Sequence, residues 1–409
     1  MATEWKRVKL GDLCEITSSK RFHLSERTTQ GIPFYCTKEI LQKLRGDEDI
    51  ECDYIDEKFY LQIKEKFGVP ETNDLLLTTR GTVGFPYLYK ANDKFYFADG
   101  NLSWFRKFSE ELDSHFLYYW FLSTEGKAGV DSIAKGTAQK AVPITGLGTL
   151  SISLPPLETQ QKIAGILSAY DDLIENNRKQ IKLLEEAAQK LYKEWFVKLN
   201  FPGHENTKIV DGVPEGWENN SILSFKFFKQ INPSVQKYEG EKIYYATADV
   251  NGTYIDGMGE KVTYTNRPSR ASIQPCENSV WFARMSNSYK ILNYFGESKQ
   301  LAYKSIISSG FAGFTTDEKY FGFLYTTISS DFFDQEKNRY ATGATQVSLT
   351  NEGLKRIKIL VPIEELIIYF SSIINPLIEK MEVLKKQIKA LQLTRDKLLP
   401  KLMNGNLEV

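Results

Sequence analysis

The chain has little of what a metal site or a disulfide framework needs. Its 409 residues include only four cysteines and three histidines. No two cysteines form a Cys-x-x-Cys pair, and no histidine has the spacing of a zinc ligand. We therefore expect structural or incidental roles for these residues and predict no metal site. They are Cys14, Cys36, Cys52, Cys276, His23, His115 and His204.

Long hydrophobic runs and an excess of charge of one sign are also absent. The longest apolar run, Phe116 to Leu122, is far shorter than the ~20 residues that cross a bilayer. The N-terminus lacks the basic and apolar regions of a signal peptide. These features predict a cytoplasmic protein with no membrane partner. The 52 basic and 52 acidic residues cancel, so attraction to a polyanion would require a local basic surface.

Catalytic motifs are missing as well. The chain has no Gly-x-x-x-x-Gly-Lys phosphate loop, no Gly-x-Ser-x-Gly nucleophile elbow, and no Gly-x-Gly-x-x-Gly loop followed by a suitably spaced acid. The Asn-Pro pairs at 232–233 and 375–376 lack the second proline and the aromatic residue of an adenine methyltransferase pocket. The sequence therefore predicts no catalytic residue and no cofactor bound by this chain.

What the chain does contain is an internal repeat at a constant spacing. Gly136 recurs as Gly343 and Pro155 recurs as Pro362, so each pair lies 207 positions apart (343 − 136 and 362 − 155). The same offset relates the helical stretches that follow. The repeat predicts two copies of a unit made of a globular part and a long helix. Such a chain is expected to fold with internal pseudo-two-fold symmetry.

Each copy ends in a heptad pattern typical of a coiled coil. From Ile163, and again from Phe370, apolar residues recur in alternating steps of four and three. The pattern predicts two long helices, each with an apolar seam. The residues predicted to pair the helices are Ile163, Leu167, Ile174, Asn177, Ile181, Leu184, Leu191, Met381, Leu384, Ile388, Leu391 and Leu398.

Polar residues and one proline interrupt this pattern. Only Asn177 and Arg395 interrupt the apolar seams of the two predicted helices. We interpret Asn177 as a residue that fixes the register of the helices, with a position at a wet edge as the alternative. Pro376 is expected to end a short helix from Glu364 and to begin the long helix, with Asn375 as its N-cap.

Polar loops with arginine are the candidates for binding. The loops at 78–82 and 283–290 combine a guanidinium with small polar groups, which suit guanine edges and phosphates. Loops at 17–21 and 264–270 add further basic groups. The alternatives are ordinary solvated loops and, for Gln139 and Gln346, capping of the next helix. The predicted DNA-binding residues are Ser19, Lys20, Arg21, Thr79, Arg80, Thr82, Gln139, Lys140, Arg267, Arg270, Arg284, Ser286, Asn287, Tyr289, Lys290 and Gln346.

The order of several segments resembles the specificity subunit of Type I restriction-modification systems. The resemblance covers essentially the whole chain, although 361–365 lacks the double proline found at 155–156. The segments that carry it are the Trp-containing start at 4–12, the strand and turn at 74–81, the loop at 136–140, the helix opening at 154–161, the stretch at 193–204 and the restart at 214–217.

The resemblance implies an α+β fold. Two mixed α/β target recognition domains would be separated by two long antiparallel coiled-coil helices. A helix from Pro376 to Leu402 would span ~40 Å, close to the ~34 to 36 Å between DNA half-sites one turn apart. The expected domains are 1–156 as target recognition domain 1, 157–200 as the central long helix, 201–214 as a linker, 215–363 as target recognition domain 2, and 364–409 as the C-terminal long helix.

The resemblance also implies a function and its partners. The chain would be a non-catalytic subunit that reads a bipartite site in double-stranded DNA and docks two methyltransferase subunits. Those partners would bring S-adenosylmethionine and methylate adenine, whereas restriction subunits would use ATP and Mg to translocate and cut DNA. Two alternatives are a coiled-coil adaptor that binds only proteins, and a self-sufficient DNA methyltransferase or nuclease with an unrecognised site.

Overall fold

The computed structural model describes residues 5–21, 23–46, 50–136, 140–407 and 409. The chain divides into two compact units. Unit 1 comprises Met1–Glu175 and Ala390–Val409, and unit 2 comprises Asn176–Lys389. No helix in the described part of the chain has the length and apolarity that crossing a membrane requires.

Unit 1 is built on two four-stranded sheets. One sheet has the strand order β2-β9-β6-β7 and is antiparallel throughout, and the other has the order β3-β5-β4-β8 with β4 and β8 parallel. A separate antiparallel pair joins β1 to β10. The strands are β1 Lys6–Lys9, β2 Glu15–Thr17, β3 Arg27–Thr28, β4 Ile32–Tyr35, β5 Asp53–Ile55, β6 Leu75–Thr78, β7 Pro86–Leu88, β8 Tyr96–Phe97, β9 Leu102–Arg106 and β10 Ser151–Leu154.

The helices of unit 1 start at recognisable caps. The Asp56 carboxylate accepts N–H bonds from Lys58 and Phe59, and the Asp113 carboxylate accepts one from Phe116. Such caps satisfy the free N–H groups of a first helical turn. The helices are α1 Leu10–Leu13, α2 Thr37–Arg45, α3 Glu57–Phe67, α4 Ser114–Leu122, α5 Thr124–Ile133, α6 Ile144–Thr149 and α7 Leu157–Tyr192, which continues as a π-helical turn at Lys193–Val197.

Unit 2 repeats the antiparallel sheet of unit 1, but its second sheet differs at one edge, because β19 pairs with β22 whereas β3 of unit 1 pairs with β5. Its antiparallel sheet has the order β14-β23-β20-β21, and its second sheet, β18-β15-β22-β19, has β15 and β22 parallel. The pair β13 and β26 matches β1 and β10. The strands are β11 Ile209–Val210, β12 Val213–Pro214, β13 Glu218–Ser221, β14 Lys229–Ile231, β15 Lys242–Tyr245, β16 Val250–Asn251, β17 Tyr254–Ile255, β18 Glu260–Val262, β19 Ala271–Ile273, β20 Ser279–Ala283, β21 Ile291–Tyr294, β22 Ser305–Ser308, β23 Phe311–Thr315, β24 Ala341–Thr342, β25 Ser348–Leu349 and β26 Lys358–Val361.

The helices of unit 2 extend the repeat. Helix α10 begins 207 positions after α5, and the Ser330 hydroxyl caps it as the Ser123 hydroxyl caps α5. The helices are α8 Leu301–Lys304, α9 Phe321–Ile328, α10 Asp331–Arg339, α11 Asn351–Arg356 and α12 Glu364–Met403. The predicted α+β class with two long helices is confirmed.

The two long helices run antiparallel, as contacts inside each unit show. In unit 1, Ile163 near the start of α7 shares a core with Leu402 near the end of α12. In unit 2, the Trp195 ring follows the end of α7 and lies 5.4 Å from the ring of Phe370 near the start of α12. Each unit thus contains a part of both helices, packed in opposite directions.

Eight of the twelve residues predicted to pair the helices are buried. Leu184, Leu191, Leu391 and Leu398 are only partly buried. On α12, Ile378 is fully buried, whereas Leu377, which the spacing of four and three from Phe370 places on the seam, is half-buried. The buried members are Ile163, Leu167, Ile174, Asn177, Ile181, Met381, Leu384 and Ile388.

The two polar residues that interrupt the apolar seams of the helices both have polar partners. In unit 2, the Asn177 amide donates to the Gln387 side-chain oxygen at 3.4 Å, and Asn177 is only 7% exposed. In unit 1, the Arg395 guanidinium contacts the Asp171 carboxylate at 2.5 Å. The burial of Asn177 agrees with a role in fixing the register of the two helices, and not with a position at a solvent-exposed edge.

The expected helix break before Pro376 is wrong. Helix α12 runs without interruption from Glu364 to Met403. The Asn375 amide donates to the Glu318 carbonyl, outside the helix, instead of capping a new helix. Ile374 and Ile378 are both fully buried. Their packing holds the segments on each side of the proline in one helix, which outweighs the lost hydrogen bond.

Candidate nucleic-acid interface

Equivalent loops follow β6 in unit 1 and β20 in unit 2. In unit 1, Gly81 N–H donates to the Lys140 carbonyl at 3.0 Å. In unit 2, Ser286 N–H donates to the Val347 carbonyl at 2.9 Å. Lys140 and Val347 are themselves 207 positions apart (347 − 140). The two loops therefore occupy the same place in the repeated fold.

The arginines of these loops are not equivalent. Arg80 forms a β-bridge with Ala141, and the matching bridge in unit 2 joins Met285 to Ser348. Ala141 and Ser348 again differ by 207 positions (348 − 141). Met285 therefore occupies, in unit 2, the exposed position that Arg80 occupies in unit 1. Arg284 lies one residue earlier, at the place that buried Thr79 takes in unit 1.

Two predicted residues of unit 1 meet at one cavity. Arg21 and Arg80 come from loops far apart in sequence, and both line a cavity of about 300 Å³. Arg27, Asp99 and Asn101 also line it. Three arginines thus line one cavity, and this combination suits a nucleic-acid edge or phosphate.

Arg27 was missed in the sequence because it lies in a short strand with no motif around it. Its guanidinium contacts the Asp53 carboxylate at 2.5 Å and lies 5.1 Å from the centre of the Phe34 ring. Its Nε atom is buried and has no hydrogen-bond partner in the described part of the chain. The ion pair and the ring hold the Arg27 side chain in one orientation beside the cavity.

The remaining predicted residues of unit 1 differ in accessibility. Thr82 is exposed, whereas Thr79 and Ser19 are buried. The Lys20 ammonium lies 5.1 Å from the centre of the Phe67 ring. Lys140 is exposed and its ammonium pairs with the exposed Asp131 carboxylate at 3.0 Å. Gln139 lies outside the described residues.

In unit 2, two predicted arginines hold their own loops together. The Arg284 guanidinium donates to the Leu349 carbonyl at 3.0 Å, and burial lowers the pKa of this group. The Arg267 guanidinium donates to the carbonyls of Tyr264 and Ala271. Both side chains thus donate at least two hydrogen bonds to backbone carbonyls of the protein itself. These two residues therefore have a structural role in the free protein.

Helix α10 fixes the reading loop of unit 2, defined here as residues 284–290. The Asn338 side-chain oxygen accepts the Asn287 N–H at 2.9 Å and lies 3.4 Å from the Ser286 hydroxyl. The Lys337 ammonium, only 2% exposed, donates to the Ser288 carbonyl at 2.8 Å. Asn287 adopts a φ of 53°, a left-handed conformation that such contacts must stabilise. The loop is thus held in a defined shape before any ligand binds.

This clamp can be tested by replacing Asn338 with alanine. We expect the Asn287 amide hydrogen to exchange with solvent about tenfold faster, because its acceptor is lost. Hydrogen-exchange mass spectrometry of the peptide that contains residues 284–290 measures this rate. Gln335→Ala, at an exposed position of the same helix, is the matched control and should leave the rate unchanged. Equal exchange in both variants would contradict the clamp.

Other predicted residues of unit 2 surround this loop. The Tyr289 hydroxyl donates to the Ser329 carbonyl at 3.1 Å, and burial of that end raises its pKa. The Lys290 ammonium donates to the Thr247 carbonyl at 2.6 Å. Arg270 and Gln346 are exposed. The exposed surface around the unit 2 loop is therefore less basic than that of unit 1.

A comparison with protein families identifies the class of the chain. Residues 2–186 match the model of the Type I restriction modification DNA specificity domain. The matched part of the chain, residues 2–186, therefore belongs to the family of Type I restriction modification DNA specificity domains. The matched model is described as a DNA specificity domain, and curated relatives are named specificity subunits of Type I restriction enzymes.

Curated relatives agree with this assignment. The MjaIX specificity subunit of Methanocaldococcus jannaschii is 28% identical over 310 residues, which cover 72% of this chain and 69% of the relative. The MjaVIII specificity subunit of the same organism is 24% identical and covers 99% of this chain and 93% of its own length. The match to the MjaVIII subunit extends through both units of the specificity subunit.

A solved structure shares the fold. The Type I restriction-modification S subunit from M. genitalium superposes with a TM-score of 0.57 at 18% sequence identity. The superposition covers 97% of this chain and 96% of the other. At this identity the comparison supports the fold of the specificity subunit and not the role of any single residue.

Proposed function

We propose that this specificity subunit reads a bipartite site in double-stranded DNA, with one half-site for each unit. The observation that carries the proposal is the repeated topology, which gives each unit one loop after an equivalent central strand, β6 or β20. The readers are the globular parts at 1–156 and 215–363. A duplicated reader suits a target that is itself split into two parts.

The residues proposed to contact DNA are the exposed ones around these loops. In unit 1, Arg21 and Arg80 line the cavity that Arg27 also borders, and in unit 2, Arg270 and Gln346 are exposed. Guanidinium groups bind phosphates and guanine edges, and glutamine side chains bind adenine edges. The buried predicted residues would support the loops that carry these contacts.

The proposal includes two methyltransferase subunits as partners, with restriction subunits as further members of the complex. These subunits would bring S-adenosylmethionine, ATP and Mg, and would methylate adenine or cut DNA. Exposed apolar residues on the long helices support protein docking, because Leu173 and Leu183 on α7 and Leu393 on α12 are each more than half exposed. The helices would thus both connect the readers and hold partners.

The salt dependence of DNA binding tests the reader role. The affinity of the specificity subunit for its DNA should fall as salt rises, because phosphate contacts release counterions. For Arg21→Ala, which removes an exposed guanidinium at the same cavity, we expect the slope of log affinity against log salt to decrease by about 1. Arg7→Ala removes an exposed arginine that pairs with Glu125, away from the cavity, and should leave the slope unchanged. An affinity that does not depend on salt would favour a protein-only adaptor.

A domain exchange tests the assignment of one half-site to each unit. Residues 215–363 would be replaced by the corresponding segment of a relative with a different target. We expect one half of the selected DNA sequence to change and the other half to stay the same. Selection from a randomised duplex library, followed by sequencing, measures both halves at once. A change in both halves would contradict independent readers.

A further inference from the structure

The two loops present opposite chemistry at equivalent positions. In unit 1 the two neighbouring positions hold Arg80 and Lys140, both cationic and exposed. In unit 2 the same two positions hold Met285 and Val347, which are apolar and 47% and 42% exposed. Met285 lies on the reading loop and Val347 lies on the segment bonded to it, so together they form a small exposed apolar surface. The loop therefore has the same position in both units, but the side chains that it exposes differ in charge and polarity.

The surroundings of Arg80 complement a G·C base pair. Arg80 makes no side-chain ion pair within the part of the chain that the structure describes. Asp99 lines the same cavity of about 300 Å³. In the major groove, guanine offers two acceptors that fit a guanidinium fork, and cytosine offers an amino donor that fits a carboxylate. A phosphate has no donor for the Asp99 carboxylate, whereas a G·C pair offers acceptors to Arg80 and a donor to Asp99, so the two side chains together suit a G·C pair.

The surroundings of Met285 complement an A·T base pair instead. Met285 and Val347 form an apolar surface that fits the C5-methyl group of thymine. Asn287 is exposed, and its backbone is fixed by the bond to Asn338. An asparagine amide can form two hydrogen bonds with adenine, at N7 and the amino group. The unit 2 loop, together with Val347 beside it, therefore offers an apolar surface to the thymine methyl group and an amide to adenine.

We propose that the half-site read by unit 1 places a G·C pair against Arg80 and Asp99, and that the half-site read by unit 2 places an A·T pair against Met285, Val347 and Asn287. This inference rests on the proposed function of the two units as DNA readers. It assigns a base-pair class to one position in each half-site, although the two loops have the same fold.

A reciprocal exchange of side chains tests the inference. The full-length chain, assembled with its methyltransferase subunits, is used to select binders from a randomised DNA duplex library. For the double variant Arg80→Met, Lys140→Val, we expect the preference for G·C at one position to fall by about 5- to 150-fold. For Met285→Arg, Val347→Lys, we expect a similar loss of A·T preference in the other half-site.

The unchanged half-site is the internal control for folding. If a double variant fails to bind DNA, Arg80→Lys keeps the charge but removes the guanidinium fork, and it should still lose the G·C preference while keeping affinity. Variants that weaken binding to all sequences equally, or that change nothing, would overturn the inference. A wild-type chain that selects no sequence at all would instead refute the proposed function.

Discussion

Replacing Gly313 with alanine is expected to lower the free energy of unfolding of unit 2 by about 3 kcal/mol. Gly313 lies in β23 and pairs with Trp281 in β20. An added Cβ would lie under 3.0 Å from the Trp281 indole ring. That ring is fully buried, and its Nε1–H donates to the Ser279 hydroxyl at 2.8 Å, so it cannot move aside without losing contacts. Denaturant unfolding of the full chain measures the effect.

A second glycine provides a matched control with the opposite sign. Gly165 lies on α7, and an added Cβ there would meet nothing within 4 Å. Gly165→Ala should raise the free energy of unfolding of unit 1 by about 0.5 to 1 kcal/mol, because alanine restricts the unfolded chain and favours the helix. If Gly313→Ala proved as harmless as Gly165→Ala, the tight packing of Trp281 on β23 would be wrong.

Replacing Arg395 with leucine is expected to lower the free energy of unfolding of unit 1 by about 2 kcal/mol. The Asp171 carboxylate contacts the Arg395 guanidinium and also accepts the Tyr119 hydroxyl at 2.7 Å. Burial and then the nearby Asp171 charge raise the pKa of the Tyr119 hydroxyl, which keeps it a donor. The side chains of Arg395 and Asp171 are 26% and 28% exposed, so the effect is smaller than for a fully buried pair.

A double variant separates the loss of the pair from the loss of packing. Asp171→Asn combined with Arg395→Leu removes the unpaired charge, so it should be more stable than Arg395→Leu alone. Asp396→Asn is the surface control, because Asp396 also contacts Arg395 but is 60% exposed, and its effect should stay under about 0.5 kcal/mol. If the double variant were less stable than Arg395→Leu alone, the cost would come from packing and not from the unpaired Asp171 carboxylate.

The long helices could be predicted because their signal is local. Ile163, Leu167 and Ile174 recur with the spacing of one helix face, and each is buried as that spacing requires. Pro376 shows where a local rule fails, since the burial of Ile374 and Ile378 keeps the helix continuous. A rule for isolated helix ends does not include the packing on either side of a proline.

The candidate interface could be predicted only in part. The sequence pointed to the loops at 78–82 and 283–290 as candidates, since an arginine beside small polar residues marks both of them. It could not separate Arg80 from Arg284, because the carbonyl groups that hold Arg284 come from Phe311 and Leu349, distant in sequence. It also gave no sign of Arg27, whose place at the cavity depends on the pairing of β3 with β5.

From the order of the amino acids alone follow the duplication, the two long helices and the family resemblance. These features depend on periodicity and on residue identity along the chain, which short-range interactions translate directly into structure. The tertiary structure was needed to tell which charged side chains remain accessible and which residues are equivalent between the units. Arg80 and Met285 share a position because backbone hydrogen bonds align their loops with Lys140 and Val347, and no spacing in the sequence specifies those bonds.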